Sequence, residues 1–265
     1  MTNDPVLLET AEGIATVTLN RPETLNALSE AMIASLHETL DRVAETRDVK
    51  AVVLRGAGNH FCAGHNLKEM TVRRADADNG AAYFKSLFAT CSAMMMRITS
   101  LPQPVIAEVQ GIATAAGCQL VATCDLAIAA DNARFATSGV NIGLFCSTPM
   151  VALSRNVSRK KAMEMLLIGD FVPAREAEAI GLINRTAPFG DLTVAAREMA
   201  ARIVGKSPVA IKIGKEAFYR QAEMSLADAY AYAGDTMALN MMARDTEAGI
   251  DAFIAKKPMP EWQGD

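Results

Sequence analysis

Histidine is scarce in this chain, with three among 265 residues, and His37, His60 and His65 are wrongly spaced for an HExxH metal site. Cysteine occurs five times, at Cys62, Cys91, Cys118, Cys124 and Cys146, an odd number that never forms a CxxC pair. That pattern indicates neither a zinc ribbon nor a disulfide framework, and it fits a reducing compartment. A surplus of basic charge is missing as well: 26 Lys and Arg against 30 Asp and Glu leave a formal net charge of -4. Phosphate-backbone binding therefore has no electrostatic footprint, and no nucleic-acid partner is expected. The uncharged stretch Phe135 to Ser154 carries Thr137, Ser138, Asn141, Ser147, Thr148 and Pro149, so it is too polar to span a bilayer and reads as a buried or site-lining segment. Met1 to Pro5 shows no basic or apolar leader, so the sequence predicts a cytoplasmic protein without a membrane partner.

Familiar nucleotide motifs are absent too. Gly56-Ala57-Gly58 follows an apolar run, but Phe61 stands where a dinucleotide fingerprint needs its third glycine. Gly205-Lys206-Ser207 ends like a phosphate loop, but Ala200 replaces the leading glycine. No GxSxG elbow occurs.

What is present is an alternation of strand and helix. Val6 to Leu8 and Ile14 to Leu19 flank an Ala11-Glu12-Gly13 turn and read as a hairpin; Ser29 can cap a helix with apolar Met32, Ile33, Leu36, Leu40 and Val43; Val52 to Leu54 reads as a strand. Val105 to Val109, the small-residue helix Ala115 to Thr123 and Leu126 to Ala130 repeat the pattern. Beyond about residue 185 only helices are expected: Thr193 to Val204, Pro208 to Gln221, Leu226 to Met241 and Asp245 to Ala255. Residues 1–190 are thus expected to form a core and residues 191–265 a helical region. The fifteen methionines read chiefly as core filling.

Two loop-to-helix junctions carry the candidate chemistry, Phe61 to Met70 and Thr114 to Leu120. The first turn of a helix has unsatisfied N–H groups, and small residues let a ligand reach them. Two such donors converging on one carbonyl oxygen would make an oxyanion hole, with helix starts that merely pack as the alternative reading.

Leu19-Asn20-Arg21-Pro22 with Leu25-Asn26-Ala27-Leu28, Phe61 to Met70, Pro104 to Ala107 with Gly111, Cys124-Asp125, Ala162 to Met165 with Gly169, and Gly181-Leu182 together resemble the crotonase (enoyl-CoA hydratase/isomerase) superfamily over essentially the whole chain. The resemblance implies an α/β fold, a spiral of ββα units with a C-terminal helical trimerisation region. It implies a homotrimer or dimer of trimers that binds acyl-CoA thioesters, with no cofactor beyond the CoA moiety of the substrate. Carried over, the oxyanion donors fall on the backbone N–H of His65 and Ala116. CoA contacts fall on Leu25, Ala27, Ala63, Leu67 and Lys68, and on Phe253 and Lys256 reaching a neighbouring subunit.

The resemblance also marks a departure, because hydratases of this family use two glutamates and the matching positions here are Gln119 and Gly139. A glutamine cannot exchange a proton near neutral pH, whereas a general acid or base contributes about 10² to 10⁴ in rate, so ordinary hydration should be crippled. If the lost carboxylates alone are responsible, Gln119→Glu with Gly139→Glu should restore it. His65 could carry a proton, and Cys146 is either a reactive or a buried thiol. The Ala63-Gly64-His65-Asn66 run with Val140 to Gly143 looks like the methylmalonyl-CoA decarboxylase branch. Gly143 to Pro149 with Val151 to Ser154 looks most like the enoyl-CoA hydratase domain-containing protein 3 group. Three readings follow: a variant enzyme on CoA thioesters, a decarboxylase, and a non-catalytic acyl-CoA-binding subunit.

Overall fold

The computed structural model of the protein describes residues 4–265. Strands β1 (Val6–Ala11), β2 (Ile14–Leu19), β3 (Ala51–Gly56), β4 (Val105–Val109), β6 (Leu126–Ala130) and β9 (Arg185–Ala187) form one sheet in the order β1-β2-β3-β4-β6-β9. Only the edge pair β1–β2 is antiparallel. Its two-residue turn places Glu12 at φ 54° and Gly13 at φ 76°, the left-handed conformation that tight hairpins require. A smaller sheet holds β5 (Ile112–Thr114), β7 (Arg134–Ala136) and β8 (Val172–Pro173) in the order β5-β7-β8. The chain passes from β4 to β5 through Gly111 at φ 61°, where a Cβ would collide with the Asn59 carbonyl.

Parallel strands are covered on both faces and so read as nearly continuous apolar runs. One face, with Val17, Val52, Leu54, Val105 and Ala107, packs against α1 (Glu30–Glu45) through Met32, Ile33, Leu36 and Leu40, and against α3 (Ala81–Ser100) through Leu87, Met94 and Ile98. The short α2 (Leu67–Val72) lies between these helices in the chain. Ser29 caps α1 by accepting from the Met32 N–H at 3.1 Å. The other face, with Ile14, Ala51, Val53, Ile106 and Ile128, is covered by α8 (Leu192–Val204) through Leu192, Ala196, Met199 and Ala200. Between the sheets' strands run α4 (Ala116–Thr123), α5 (Ser147–Asn156), α6 (Arg159–Ile168) and α7 (Ala174–Ala179).

The helices α9 (Pro208–Gln221), α10 (Leu226–Met241) and α11 (Arg244–Ile254) close the chain. One buried network fastens them to the core. Lys215 on α9 donates to the Ile98 and Gln103 carbonyls and to Asp125 Oδ2 at 2.6 Å, while the Tyr219 hydroxyl donates to Asp125 Oδ1 at 2.8 Å. Burial pushes the Lys215 ammonium below its ordinary pKa against the pull of Asp125, and pushes the Tyr219 phenol up.

Two regions differ from the sequence reading. The helix α3 is absent from it, although Asp78 caps its start by accepting from the Gly80 and Ala82 N–H groups at 3.0 and 2.8 Å. Of Phe135 to Ser154, read as buried or site-lining, Phe135 and Gly139 are buried, but Ile142, Leu144 and Phe145 are exposed on a turn that ends at α5. Among the described residues no helix is long and apolar enough to cross a membrane.

Candidate functional site

The site is assembled by three loops that meet at the carboxyl ends of β2, β3 and β4. Leu25 and Asn26 both adopt φ 54°, which turns the chain so that the Leu25 carbonyl accepts from the Ala63 N–H at 3.0 Å. Asn26 is fully buried and joins the loops with its side chain. Its Oδ1 accepts from the Arg21 N–H at 2.9 Å, and its Nδ2 donates to the Ala57 and His60 carbonyls at 2.9 and 2.8 Å. Further on, the Leu28 N–H donates to the Gly64 carbonyl at 2.7 Å, and the Asn66 N–H to the Leu28 carbonyl at 3.3 Å. These two bonds are the whole of the bridge between Leu28 and His65, and they leave the intervening His65 N–H outside it. Asn66 then caps α2, its Oδ1 accepting from the Lys68 N–H at 3.1 Å.

A second bridge joins Cys62 to Ala113, with Cys62 N–H donating to the Ile112 carbonyl and Thr114 N–H to the Cys62 carbonyl at 3.1 and 3.0 Å. The start of α4 is thereby pressed against the His65 loop so tightly that a Cβ on Gly117 would run into the Cys62 carbonyl. Ala115 precedes α4 at φ 51° and ψ -118°, a conformation alanine takes only at a cost of about 1–3 kcal/mol. Its strain aims the Ala116 N–H out of the helix end. The gap between the two junctions is marked by Gly64, at φ 90°: a Cβ there would lie 3.0 Å from the Thr114 carbonyl oxygen and 3.3 Å from the Ala116 nitrogen. Among the described residues the His65 and Ala116 N–H groups have no backbone acceptor. Only glycine at position 64 lets the two junctions approach this closely.

Side chains around this space are neutral. The His65 ring packs edge-on to Phe88 of α3 with centroids 5.5 Å apart, and neither ring nitrogen has a hydrogen-bond partner. Burial lowers its pKa below the ordinary value, opposed by the nearby Leu28 carbonyl, so the imidazole is uncharged at pH 7. Gln119 is buried on α4 with its Oε1 unpartnered. Ser138 Oγ and Thr114 Oγ1 lie 3.2 Å apart, while Asn141 donates to the Gly169 carbonyl at 3.3 Å.

At Gly139 the structure corrects the restoration expected from sequence. A Cβ there would strike the Leu144 carbonyl and lie 2.9 Å from Cys146 Sγ, while the Leu144 N–H holds the turn closed on the Gly139 carbonyl at 2.9 Å. The space for a side chain is filled by the turn, so Gly139→Glu cannot simply add a carboxylate. Thiol chemistry is disfavoured for the same reason of packing. Burial raises the Cys146 pKa against a backbone hydrogen bond from Gly139, and it raises Cys62, Cys91 and Cys118 to about 12, so these thiols stay protonated.

Backbone bonds join the Leu25 loop to Ala63 and the Cys62 loop to the strand that leads into Ala116 and Gln119, while Leu25, Leu67 and Lys68 are exposed. Phe253 on α11 and Lys256 beyond it lie on the outside of the helical region, exposed and without a hydrogen bond to these loops. Sequence reasoning missed Asn26 as the tie between loops, Phe88 as the wall behind His65, and the Leu144–Cys146 turn; only Asn26 left a signal, inside the Leu25 to Leu28 motif.

The family model described as Enoyl-CoA hydratase/isomerase matches residues 9–265. The chain is 43% identical over 256 residues to the Xenopus laevis protein named "Enoyl-CoA hydratase domain-containing protein 3, mitochondrial", covering 97% of this chain and 85% of that one. A crystal structure of an enoyl-CoA hydratase from Mycobacterium smegmatis superposes with a TM-score of 0.92 at 52% identity, over 97% of this chain and 98% of that one. The human enoyl-CoA hydratase domain-containing protein 3 superposes with a TM-score of 0.91 at 41% identity, over 97% and 99%. The expectation of a cytoplasmic protein is corrected here: the frog relative's name places it in mitochondria, as does that of the human relative at 42% identity, so lack of a basic leader is no guide to compartment.

Proposed function

The chain belongs to the enoyl-CoA hydratase/isomerase family, and we propose that it holds an acyl-CoA thioester with its carbonyl oxygen between the His65 and Ala116 N–H groups. The observation that carries this reading is the pair of donors without protein acceptors, held across Gly64 by two β-bridges. Their preorganisation stabilises the enolate that forms when a bond at the α-carbon breaks, and the donors need not move as charge develops. The N-terminus of α4 adds its partial positive charge.

Leu25, Ala27, Ala63 and Leu67 bind the CoA arm, Lys68 approaches its phosphates, and Phe253 and Lys256 reach the CoA of a neighbouring subunit. Residues 1–190 form the acyl-CoA-binding core and residues 191–265 the oligomerisation region of a homotrimer or dimer of trimers. Within that region α8 is buried on the sheet, whereas Phe218, Tyr230, Met237, Met242 and Phe253 are exposed, apolar surface that a neighbour can cover.

Gln119 and Gly139 supply no acid or base, so classical hydration is slow and the chemistry rests on enolate stabilisation with His65 as proton carrier. A second reading is favoured by the neutral, unpartnered imidazole: decarboxylation of a malonyl-type thioester releases carbon dioxide and makes the enolate without any base, and His65 then orients it while water supplies the proton. The deciding experiment follows crotonyl-, malonyl- and methylmalonyl-CoA by mass spectrometry with wild type and Gly64→Ala. Turnover abolished in the variant supports enolate stabilisation. Tight acyl-CoA binding with no turnover of any ester would leave the non-catalytic subunit.

A further inference from the structure

The face of the large sheet that α8 covers is apolar only at one end. Along β2, β3 and β4 the residues facing α8 begin as Ile14, Ala51, Val53 and Ile106 and end as Thr18, Arg55, Glu108 and Gln110. Charged residues are unusual on the inner face of a parallel sheet, where each must be paired or solvated. Thr18 pairs with Arg55 and Arg55 with Glu108 in the strand register, so the three form one row across the sheet. The row lines a cavity of about 420 Å³ at the strands' carboxyl ends, with Thr193 at the start of α8 on its far wall.

Arg55 and Glu108, though register partners, form no ion pair. The Arg55 Nε donates to Thr18 Oγ1 at 3.1 Å, and its two terminal nitrogens have no partner among the described residues. Glu108 is buried and accepts from the Thr193 hydroxyl at 2.7 Å with one oxygen only, leaving the other without a described partner. A guanidinium fork and a carboxylate oxygen therefore border the same cavity with bonding capacity left over. Gln110 completes the polar wall, tied through its Nε2 to the Gly56 and Gly58 carbonyls, with its buried Oε1 unpartnered. Glu9 stands exposed at the rim, and Leu7, Leu192 and Phe189 supply an apolar side.

We propose that this cavity binds a free α-amino acid with an apolar side chain. Its carboxylate meets the Arg55 fork, the geometry guanidinium recognises best, and its ammonium meets Glu108 with Glu9 behind it. The side chain lies against Leu7, Leu192 and Phe189. This ligand balances both wall charges at once, which a simple acid or amine does not. The site is separate from the thioester site but shares its framework: β3 and β4 run from Arg55 and Glu108 into the loops bearing His65 and Ala116, and the Gln110 carbonyl accepts from the Phe61 N–H at 2.9 Å.

The test is calorimetric titration of the full chain with L-leucine, L-methionine and L-phenylalanine, beside isocaproate and isoamylamine, which carry one charge each. Wild type, Arg55→Lys and Glu108→Gln are compared, and circular dichroism with thermal melting of the same three proteins shows whether each variant keeps its fold. Saturable binding of at least one amino acid is expected, weakened about 10-fold or more by each substitution, since Arg55→Lys loses the bidentate fork and Glu108→Gln loses the charge that meets the ammonium. The single-charge analogues should bind at least about 10-fold more weakly than leucine. Absence of saturable binding by all three amino acids overturns the proposal. So does affinity unchanged in both variants, or isocaproate binding as well as leucine. Because the readout is amino-acid binding, it stands or falls apart from the thioester reading.

Discussion

Residues 62–66 with 113–117, and residues 137–147, border the same space but are built in opposite ways. The first pair of segments presents main-chain N–H groups, and each is fixed by backbone bonds: two β-bridges, the buried Asn26, and glycines at positions where any Cβ would collide. The second carries no carboxylate or histidine, and its Gly139 position is occupied by a turn closed through the Leu144 N–H. Charge stabilisation depends on the backbone and tolerates many side chains, whereas proton transfer depends on single side chains. A protein can therefore lose the second function while its fold preserves the first.

The largest effect that would break this contrast lies at Gly64. Gly64→Ala at φ 90° presses a methyl group against Ala115, the Thr114 carbonyl and the Ala116 nitrogen, and should lower turnover of any accepted thioester by about 10² to 10³, the loss expected for one oxyanion donor. Steady-state kinetics with unchanged circular dichroism would check it. Next comes Gly139→Glu, which should not rescue hydration. Collision with the Leu144 carbonyl should destabilise the fold by about 1–3 kcal/mol in urea unfolding, as overpacking does. A stable variant with fast crotonyl-CoA hydration would show that the turn moves aside and that only the carboxylate was missing.

Smaller still is the pH dependence from His65, whose folded-state pKa lies below its ordinary value. Stability from the neutral ring is fully present above about pH 6.5 and is lost as pH falls through the depressed value, where protons bind the unfolded chain preferentially. His65→Gln should flatten that acid limb of the melting temperature and, where His65 carries the proton, remove the matching limb of the rate. The smallest effect is at Cys146: a protonated, buried thiol should react with iodoacetamide far more slowly than a free cysteine, and Cys146→Ser should leave turnover within a few-fold.

The sequence made the alternation of strands and helices legible because its signals are local. Ser29 marks a helix start, apolar spacing of three and four marks α1, and an unbroken apolar run marks β6. What escaped is non-local. The helix α3 has an apolar stripe diluted by Ser86, Thr90, Ser92 and Thr99, whose hydroxyls bond their own helix or face outward. The pairing of Lys215 with Asp125 spans 90 positions, and nothing near either residue announces it. At the site, the two loop-to-helix junctions at Asn66 and Ala116 were readable in the sequence. The filling of the Gly139 position by Leu144 and Cys146 was not, because a missing side chain does not say what replaces it.

The most direct test is the infrared spectrum of a bound acyl-CoA whose thioester carbonyl carries ¹³C, recorded as a difference between labelled and unlabelled ligand. Two N–H donors converging on the oxygen predict a carbonyl band shifted to lower frequency on binding to wild type, with the shift lost or halved in Gly64→Ala. A bound thioester whose carbonyl band stays where it is in water would contradict the placement of that oxygen between His65 and Ala116.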